Sequence, residues 1–250
     1  MRAFLLYNVK WIVMEKGDFM KKYKWLLFDA DNTLLDFTRA ERAGITDTLI
    51  SMGLPATDEV VMTYSKINDG LWKDLERGLV TKERLKVLRF ERLCQHYSLE
   101  GDPVAIAGEY VKNLSKYGFL CDGALELCRA LYGKYDMYII TNGIKVIQDS
   151  RFGKSGIKEY FIHSFISDEI GCEKPGRAFF DHVANSIDGF DPAYALVIGD
   201  SLTSDILGGV NYGIDTCWVN PKGHEKPADL PITYTVTKLS EVARLLGEEQ

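Results

Sequence analysis

The stretch YKWLLFDADNTLLDF, Tyr23–Phe37, decides the fold. Its first six residues form a short apolar run that stops at an acid. That is the pattern of a strand buried on both faces. Three further strand candidates follow: Met137–Ile140 before Thr141-Asn142-Gly143, Ala195–Ile198 before Gly199-Asp200, and, more weakly, Phe161–Ser167. Ile214–Val219 and Tyr234–Val236 complete the set. Helical patterns lie between them at Gly123–Tyr132, Ile144–Ser155, Pro175–Ser186, Ser204–Tyr212 and Leu239–Leu246. Apolar strands alternating with helices predict an α/β fold, a Rossmann-like parallel sheet covered on both faces.

Spacing sets the domain organisation. Thr141 follows Asp29 by 112 residues, whereas a βαβ unit needs only about 30. The surplus of roughly 80 residues shows no strand pattern. Val87, Phe90, Cys94 and Tyr97 form one helical stripe, and Tyr64, Asn68, Leu71, Trp72 and Leu75 another. Pro55 and Pro103 stand where helices restart, and Thr81 after Gly78 is placed as an N-cap. We therefore expect a core of residues 20–36 and 118–250 with an inserted α-helical cap, residues 37–117. The intervals Thr141 to Lys174 and Lys174 to Asp200 leave no room for another domain.

Four segments stand at expected strand ends: Asp29-Ala30-Asp31-Asn32-Thr33, Thr141-Asn142-Gly143, Lys174-Pro175 and Gly199-Asp200-Ser201-Leu202-Thr203-Ser204-Asp205. Ligands of open α/β sheets bind beyond the carboxyl ends of the strands. Asp29, Asp31 and Asp200 crowded at one rim repel each other and require positive charge. No His or Cys joins them, so the donors are oxygen only. That selects a hard cation, Mg²⁺ over Ca²⁺ where phosphate is also present. Lys174 adds positive charge, Thr141 a hydroxyl and Asn142 a backbone N–H, which are the needs of phosphoryl transfer.

In order and spacing these segments resemble the four motifs of the haloacid-dehalogenase-like superfamily of phosphohydrolases: D-x-D-x-T, a strand ending in Thr or Ser, a Lys, and G-D-x-x-x-x-D. The likeness runs from Lys21 to the C-terminus. DADNTLLDF, N-x-x-L-W (Asn68, Leu71, Trp72) followed by E-R-G-x-x-T, TNG-x-x-x-x-Q, E-K-P, and GDSLTSDILGG with a later CWVN are similar to the bacterial pyrimidine 5′-nucleotidases of the YjjG/YfnB type. The resemblance implies a Mg²⁺-dependent phosphomonoester hydrolase with Asp29 as nucleophile and Asp31 as general acid and then base. It implies that Thr141, Asn142 and Lys174 hold the phosphoryl group. It makes Asp29, Asp200 and the Asp31 carbonyl metal ligands, sets Asp205 behind the metal or Lys174, and has Thr33 support the loop. Superfamily members that dehalogenate or cleave C–P bonds lack an acid at the Asp31 position, so phosphate esters are favoured here. The implied partner is a small phosphorylated metabolite, a nucleoside monophosphate. A sugar phosphate, phosphoglycolate or another metabolite is the alternative, and a non-catalytic phosphate-binding module ranks below both.

Taken singly, these residues have plainer readings. An Asp at a strand end is usually a turn or cap residue, and Asp205 could serve only the dipole at a helix start. Their order as a set is what outweighs this. In the cap, Trp72 and Tyr64 either stack on a nucleobase or fill the core. Phe37 at the entrance poses the same choice, and Asn68 is a candidate for a sugar or base contact.

Composition bounds the rest. The 250 residues carry a net charge of −6, which argues against nucleic-acid polymers, since these demand clustered basic residues. No run spans a bilayer. The five scattered cysteines form no metal pattern and suit a reducing cytoplasm. A monomer or small homo-oligomer is expected. The apolar start MRAFLLYNVKWIVM is broken by Lys10 and lacks an export-signal cleavage site. Codons for Glu15–Asp18 can form a ribosome-binding sequence ahead of Met20, so residues 1–19 are expected to be translated upstream sequence, or else a poorly ordered arm.

Overall fold

In the computed structural model, which describes residues 12–13, 19–20 and 23–248, the apolar run of the opening stretch is strand β3, Trp25–Phe28, with every residue buried. Before it, β1 (Ile12–Val13) and β2 (Phe19–Met20) pair antiparallel. The expectation for residues 1–19 otherwise falls outside the described residues. The remaining strands are β4 (Asp136–Thr141), β5 (His163–Ile166), β6 (Ala195–Gly199), β7 (Asp215–Val219) and β8 (Tyr234–Val236). They form one parallel six-stranded sheet in the order β5-β4-β3-β6-β7-β8. The order reverses at β3: the chain steps to β4 and β5 on one side, then to β6, β7 and β8 on the other. A crevice forms at such a switch point beyond the carboxyl ends. Trp25 is in register with Asp136 on one side and Ala195 on the other. Asp29, Thr141 and Asp200 therefore emerge side by side.

The pleat divides the core. Leu26 and Phe28 pack with Ile139 and Ile198 against α5 (Ala124–Leu131) and α10 (Leu239–Leu245). Trp25 and Leu27 pack with Ile140 and Val197 against α8 (Arg177–Ser186). Both faces are covered, so the strands read as continuous apolar runs rather than alternating ones.

Residues 37–114 form four helices: α1 (Phe37–Ser51), α2 (Asp58–Glu76), α3 (Lys82–Tyr97) and α4 (Pro103–Leu114). Thr57, Thr81 and Asp102 cap the last three with their side chains. Ile45, Leu49, Tyr64, Phe90 and Tyr110 fill their common core. Gly44 lets α1 lie close on α4, since a Cβ there would stand 3.0 Å from the Leu114 Cα. Tyr64 stacks on Phe90 with centroids 5.3 Å apart and is wholly buried. It is core, not a stacking surface for a ligand. The two connections to the sheet domain pair with each other, Leu35 bridging Leu120.

Some boundaries move. Pro175 does not open a helix: α8 begins at Arg177, with Gly176 as N-cap. The expected Ser204–Tyr212 helix is a π-helical turn, Leu202–Ile206, followed by α9, Leu207–Tyr212. The widened turn keeps Asp205 at the strand end. Of the expected Phe161–Ser167 strand, Ser167 instead begins the short helix α7, Ser167–Ile170. α6 runs over Lys145–Ser155. No helix among the described residues is long and apolar enough to cross a membrane.

Candidate active site

The site forms where β3, β4 and β6 end. Asp29 is fixed by its backbone N–H, which donates to the Ile198 carbonyl at 2.8 Å. After it, the chain turns through Asn32, which sits at φ 62°, and Asn32 accepts from the Thr38 N–H and hydroxyl at 3.0 Å each. This turn lets Asp29 and Asp31 sit at one rim while Ala30 is buried beneath.

Lys174 is the electrostatic centre. Its Nζ donates to Asp29 Oδ1 at 2.8 Å, Asp205 Oδ1 at 2.6 Å and the Ile140 carbonyl at 2.8 Å. An ammonium has three protons, so all three are engaged within the protein. Burial favours a neutral amine, yet Asp205 and Asp29 outweigh it and hold the group above its ordinary range. Asp205 Oδ2 accepts from the Ser201 N–H at 3.0 Å. Gly199 makes room for it, since a Cβ there would meet that oxygen at 2.3 Å.

The acids are strained electrostatically. Burial raises the Asp29 carboxyl well above the carboxylate range, and Asp205 and Asp200 add to this against Lys174. Burial also pushes Asp200 up to about 7, reinforced by Asp205. Thr33 donates to Asp200 Oδ1 at 3.4 Å. Oxygens of Asp29, Asp200 and Asp205 lie within 4.8 Å of one another. Oxygen donors whose charge is costly suit a hard divalent cation. Both oxygens of Asp205 are engaged, by Lys174 and by the Ser201 N–H, so Asp29 and Asp200 are the carboxylates with capacity for it.

Thr141 Oγ1 accepts from the Gly143 N–H at 3.1 Å and from Gln148 Nε2 at 2.9 Å. Its own proton is then what it has to give an anion. Asn142 locks the second segment to the third: its side chain donates to the Lys174 carbonyl and accepts from the Lys174 N–H at 2.8 and 2.9 Å.

A cavity of about 340 Å³ opens from this floor towards the cap. Phe37 and Trp72 line it, as do Leu114, Ile144 and Ile147. Asn68 does not. It is wholly buried, donating to Glu41 at 2.8 Å and accepting from Arg89 at 3.1 Å, and it serves the cap interior rather than a ligand. The Asp31 carboxylate is not part of the oxygen cluster of Asp29, Asp200 and Asp205. It is held by Arg151 and Gln148, both on α6. Sequence reasoning assigns neither a role, although Gln148 is the glutamine of the TNG-x-x-x-x-Q segment. Their signal was the buried α6 face Ile147, Gln148, Arg151 and Phe152, where polar side chains sit at helical spacing on an apolar stripe. Arg89 also reaches the cavity lining from α3.

The haloacid dehalogenase-like hydrolase family matches residues 23–213. The pyrimidine 5′-nucleotidase PynA of Streptococcus pneumoniae is 41% identical over 90% of this chain and 96% of its own. The pyrimidine 5′-nucleotidase YjjG of Escherichia coli is 33% identical over 90% and 98%. The magnesium-bound crystal structure of the HAD hydrolase YfnB of Bacillus subtilis superposes with a TM-score of 0.86 at 36% identity, covering 90% of this chain and 99% of that one.

Proposed function

The chain belongs to the haloacid dehalogenase-like hydrolases, and from that premise we propose that it hydrolyses pyrimidine nucleoside 5′-monophosphates through an aspartyl-phosphate on Asp29. The observation that carries the chemistry is the buried contact of Lys174 Nζ with Asp29 Oδ1 at 2.8 Å, beside Asp31 on the same turn. The likeness to two pyrimidine 5′-nucleotidases over nine-tenths of the chain supports the substrate class.

Lys174 takes Oδ1 of Asp29 and neutralises its charge, so attack on phosphorus falls to the other oxygen. The Thr141 hydroxyl and the Asn142 N–H donate to the equatorial phosphoryl oxygens, where charge develops. Asp31 gives its proton to the departing ester oxygen, then takes one from the water that hydrolyses the aspartyl-phosphate. Mg²⁺, held by Asp29, Asp200 and the Asp31 carbonyl, would neutralise the phosphate and align it for in-line attack. Asp205 keeps Lys174 in place. Phe37 and Trp72 offer apolar walls for the base.

The test is phosphate release with Mg²⁺ from uridine, thymidine and cytidine 5′-monophosphates against purine nucleotides, ribose 5-phosphate and phosphoglycolate. Preferential turnover of the pyrimidine nucleotides is expected. Equal or better turnover of the sugar phosphate or phosphoglycolate overturns the substrate assignment, and retained activity in Asp29→Asn overturns the nucleophile.

A further inference from the structure

Both carboxylate oxygens of Asp31 are occupied by side chains one turn apart on α6. Gln148 Nε2 donates to Oδ2 at 2.7 Å, and Arg151 Nη1 pairs with Oδ1. Arg151 is completely buried. A second contact of its Nη1, to Gln148 Oε1 at 3.2 Å, links the two donors. Arg151 also lines the cavity, with its Nη2 buried and without a hydrogen-bond partner. Its Nε donates to the Tyr117 carbonyl at 3.1 Å. Tyr117 lies between α4 and the sheet domain, on the segment by which the chain returns from the cap. That segment is fastened to α6 nearby as well. Ser150 Oγ and Lys154 Nζ donate to the Ser115 carbonyl at 2.9 and 2.7 Å. Gly118 packs so tightly that a Cβ would stand 2.6 Å from the Arg151 carbonyl.

A buried guanidinium is costly unless its charge and N–H groups are matched. A core contact needing only bulk would use an apolar side chain of this size. When Asp31 is ionised, the charge is matched by the one carboxylate assigned to proton transfer; Nη1 and Nε have partners and Nη2 has none. A proton donor must lie within hydrogen-bond reach of the departing oxygen, and small displacements cost large factors in rate.

We propose that Arg151 is a positioning residue for Asp31: anchored on the Tyr117 carbonyl, it sets the direction in which Asp31 meets the leaving-group oxygen and ties that direction to the cap's return segment. This rests on the assignment of Asp31 as the acid made above. The consequence depends on the leaving group. A nucleoside alkoxide is a poor leaving group and needs the proton, whereas p-nitrophenolate departs without it. The ratio kcat/KM reports every step through departure of the leaving group, so slow hydrolysis of the aspartyl-phosphate does not mask the effect.

The experiment compares the full-length wild type with Arg151→Met and Arg151→Lys on uridine 5′-monophosphate and p-nitrophenyl phosphate, with Mg²⁺, alongside melting temperatures. For Arg151→Met, kcat/KM on the nucleotide is expected to fall about 30-fold or more, a partial loss of the roughly 10²–10⁴-fold that general acid catalysis supplies, and by less than about threefold on the aryl ester. Arg151→Lys should show the same selectivity with a smaller loss. If Arg151→Met fails to fold, the lysine variant alone decides. Equal losses on both esters, or no loss on either, overturn the proposal. Asp31→Asn separates the two levels: a loss of kcat/KM in that variant that ignores the leaving group overturns the acid assignment itself, with or without an effect at Arg151.

Discussion

Asp29 is placed where a carboxylate is hard to ionise, and its replacement has two separable effects. Asp29→Asn should reduce phosphate release by at least about 10³-fold, because no covalent intermediate forms. The fold should survive. Burial and the neighbouring acids raise the Asp29 carboxyl, so in the metal-free protein its stabilising contribution belongs to low pH and is lost as pH rises through the folded value. The variant lacks that loss, and its metal-free melting temperature at pH 8 should equal or exceed that of the wild type. Asp200 gives a second test. With its carboxyl pushed up to about 7, a cation must displace a proton below that pH. Mg²⁺ affinity by calorimetry should therefore weaken by about tenfold between pH 8 and pH 6 from Asp200 alone, and Asp200→Asn should bind weakly at both. These acids were legible because each directly ends an apolar run. Arg151 and Gln148 lacked that mark: their partners come from a turn more than a hundred residues away, which no local pattern records.

At the scale of elements, α2 shows what periodicity conveys and what it omits. The stripe Tyr64, Asn68, Leu71 located the buried face, and all three are wholly buried. It could not tell a polar residue facing a ligand from one facing another helix. Asn68 faces other helices, bridging Glu41 on α1 and Arg89 on α3. Asn68→Leu leaves both charged groups short of a partner, and unmatched buried polar groups cost about 1–3 kcal/mol each. A destabilisation of about 2–4 kcal/mol in urea unfolding is expected. Trp72, one turn further on, is half-buried and lines the cavity. Trp72→Ala should unfold within about 1 kcal/mol of wild type, because no packed core is emptied, yet raise KM for nucleotides. Reversal of that pattern would return Asn68 to the ligand and Trp72 to the core. Lys174-Pro175 carries a related lesson: the proline suggests a helix start, but the Lys174 backbone is locked to the Asn142 side chain and α8 begins only at Arg177.

At the scale of the molecule, the span between Asp29 and Thr141 is too long for one crossover, and helices α1–α4 occupy most of it. How these helices sit on the sheet is not written in that length, because an apolar patch, where Ile144 and Ile147 at the start of α6 join the helical core, is combined with single polar side chains from distant segments. Lys82, on α3, reaches across to donate to Ser167 Oγ at 2.7 Å and to pair with Glu173 at 3.3 Å. Thr203 donates to Glu76 of α2 at 2.8 Å on the other side of the cavity. Lys82 and Ser167 are both nearly fully buried, so their bond is shielded from solvent in a way that exposed ion pairs are not. The cavity walls come from both lobes, and a nucleotide must touch Trp72 and Thr141 at once to fill it. Loosening the Lys82 contact should therefore weaken substrates that span the lobes more than inorganic phosphate, which needs only the sheet-domain floor. In a double-mutant cycle, Ser167→Ala and Lys82→Met should each raise KM for uridine 5′-monophosphate. The double variant should resemble Lys82→Met alone, with a coupling of about 1.4 kcal/mol, or tenfold in KM. Inhibition by inorganic phosphate should change little in all three. Additive effects on KM, or an equal loss of phosphate binding, would mean that this contact does not hold the lobes around the substrate.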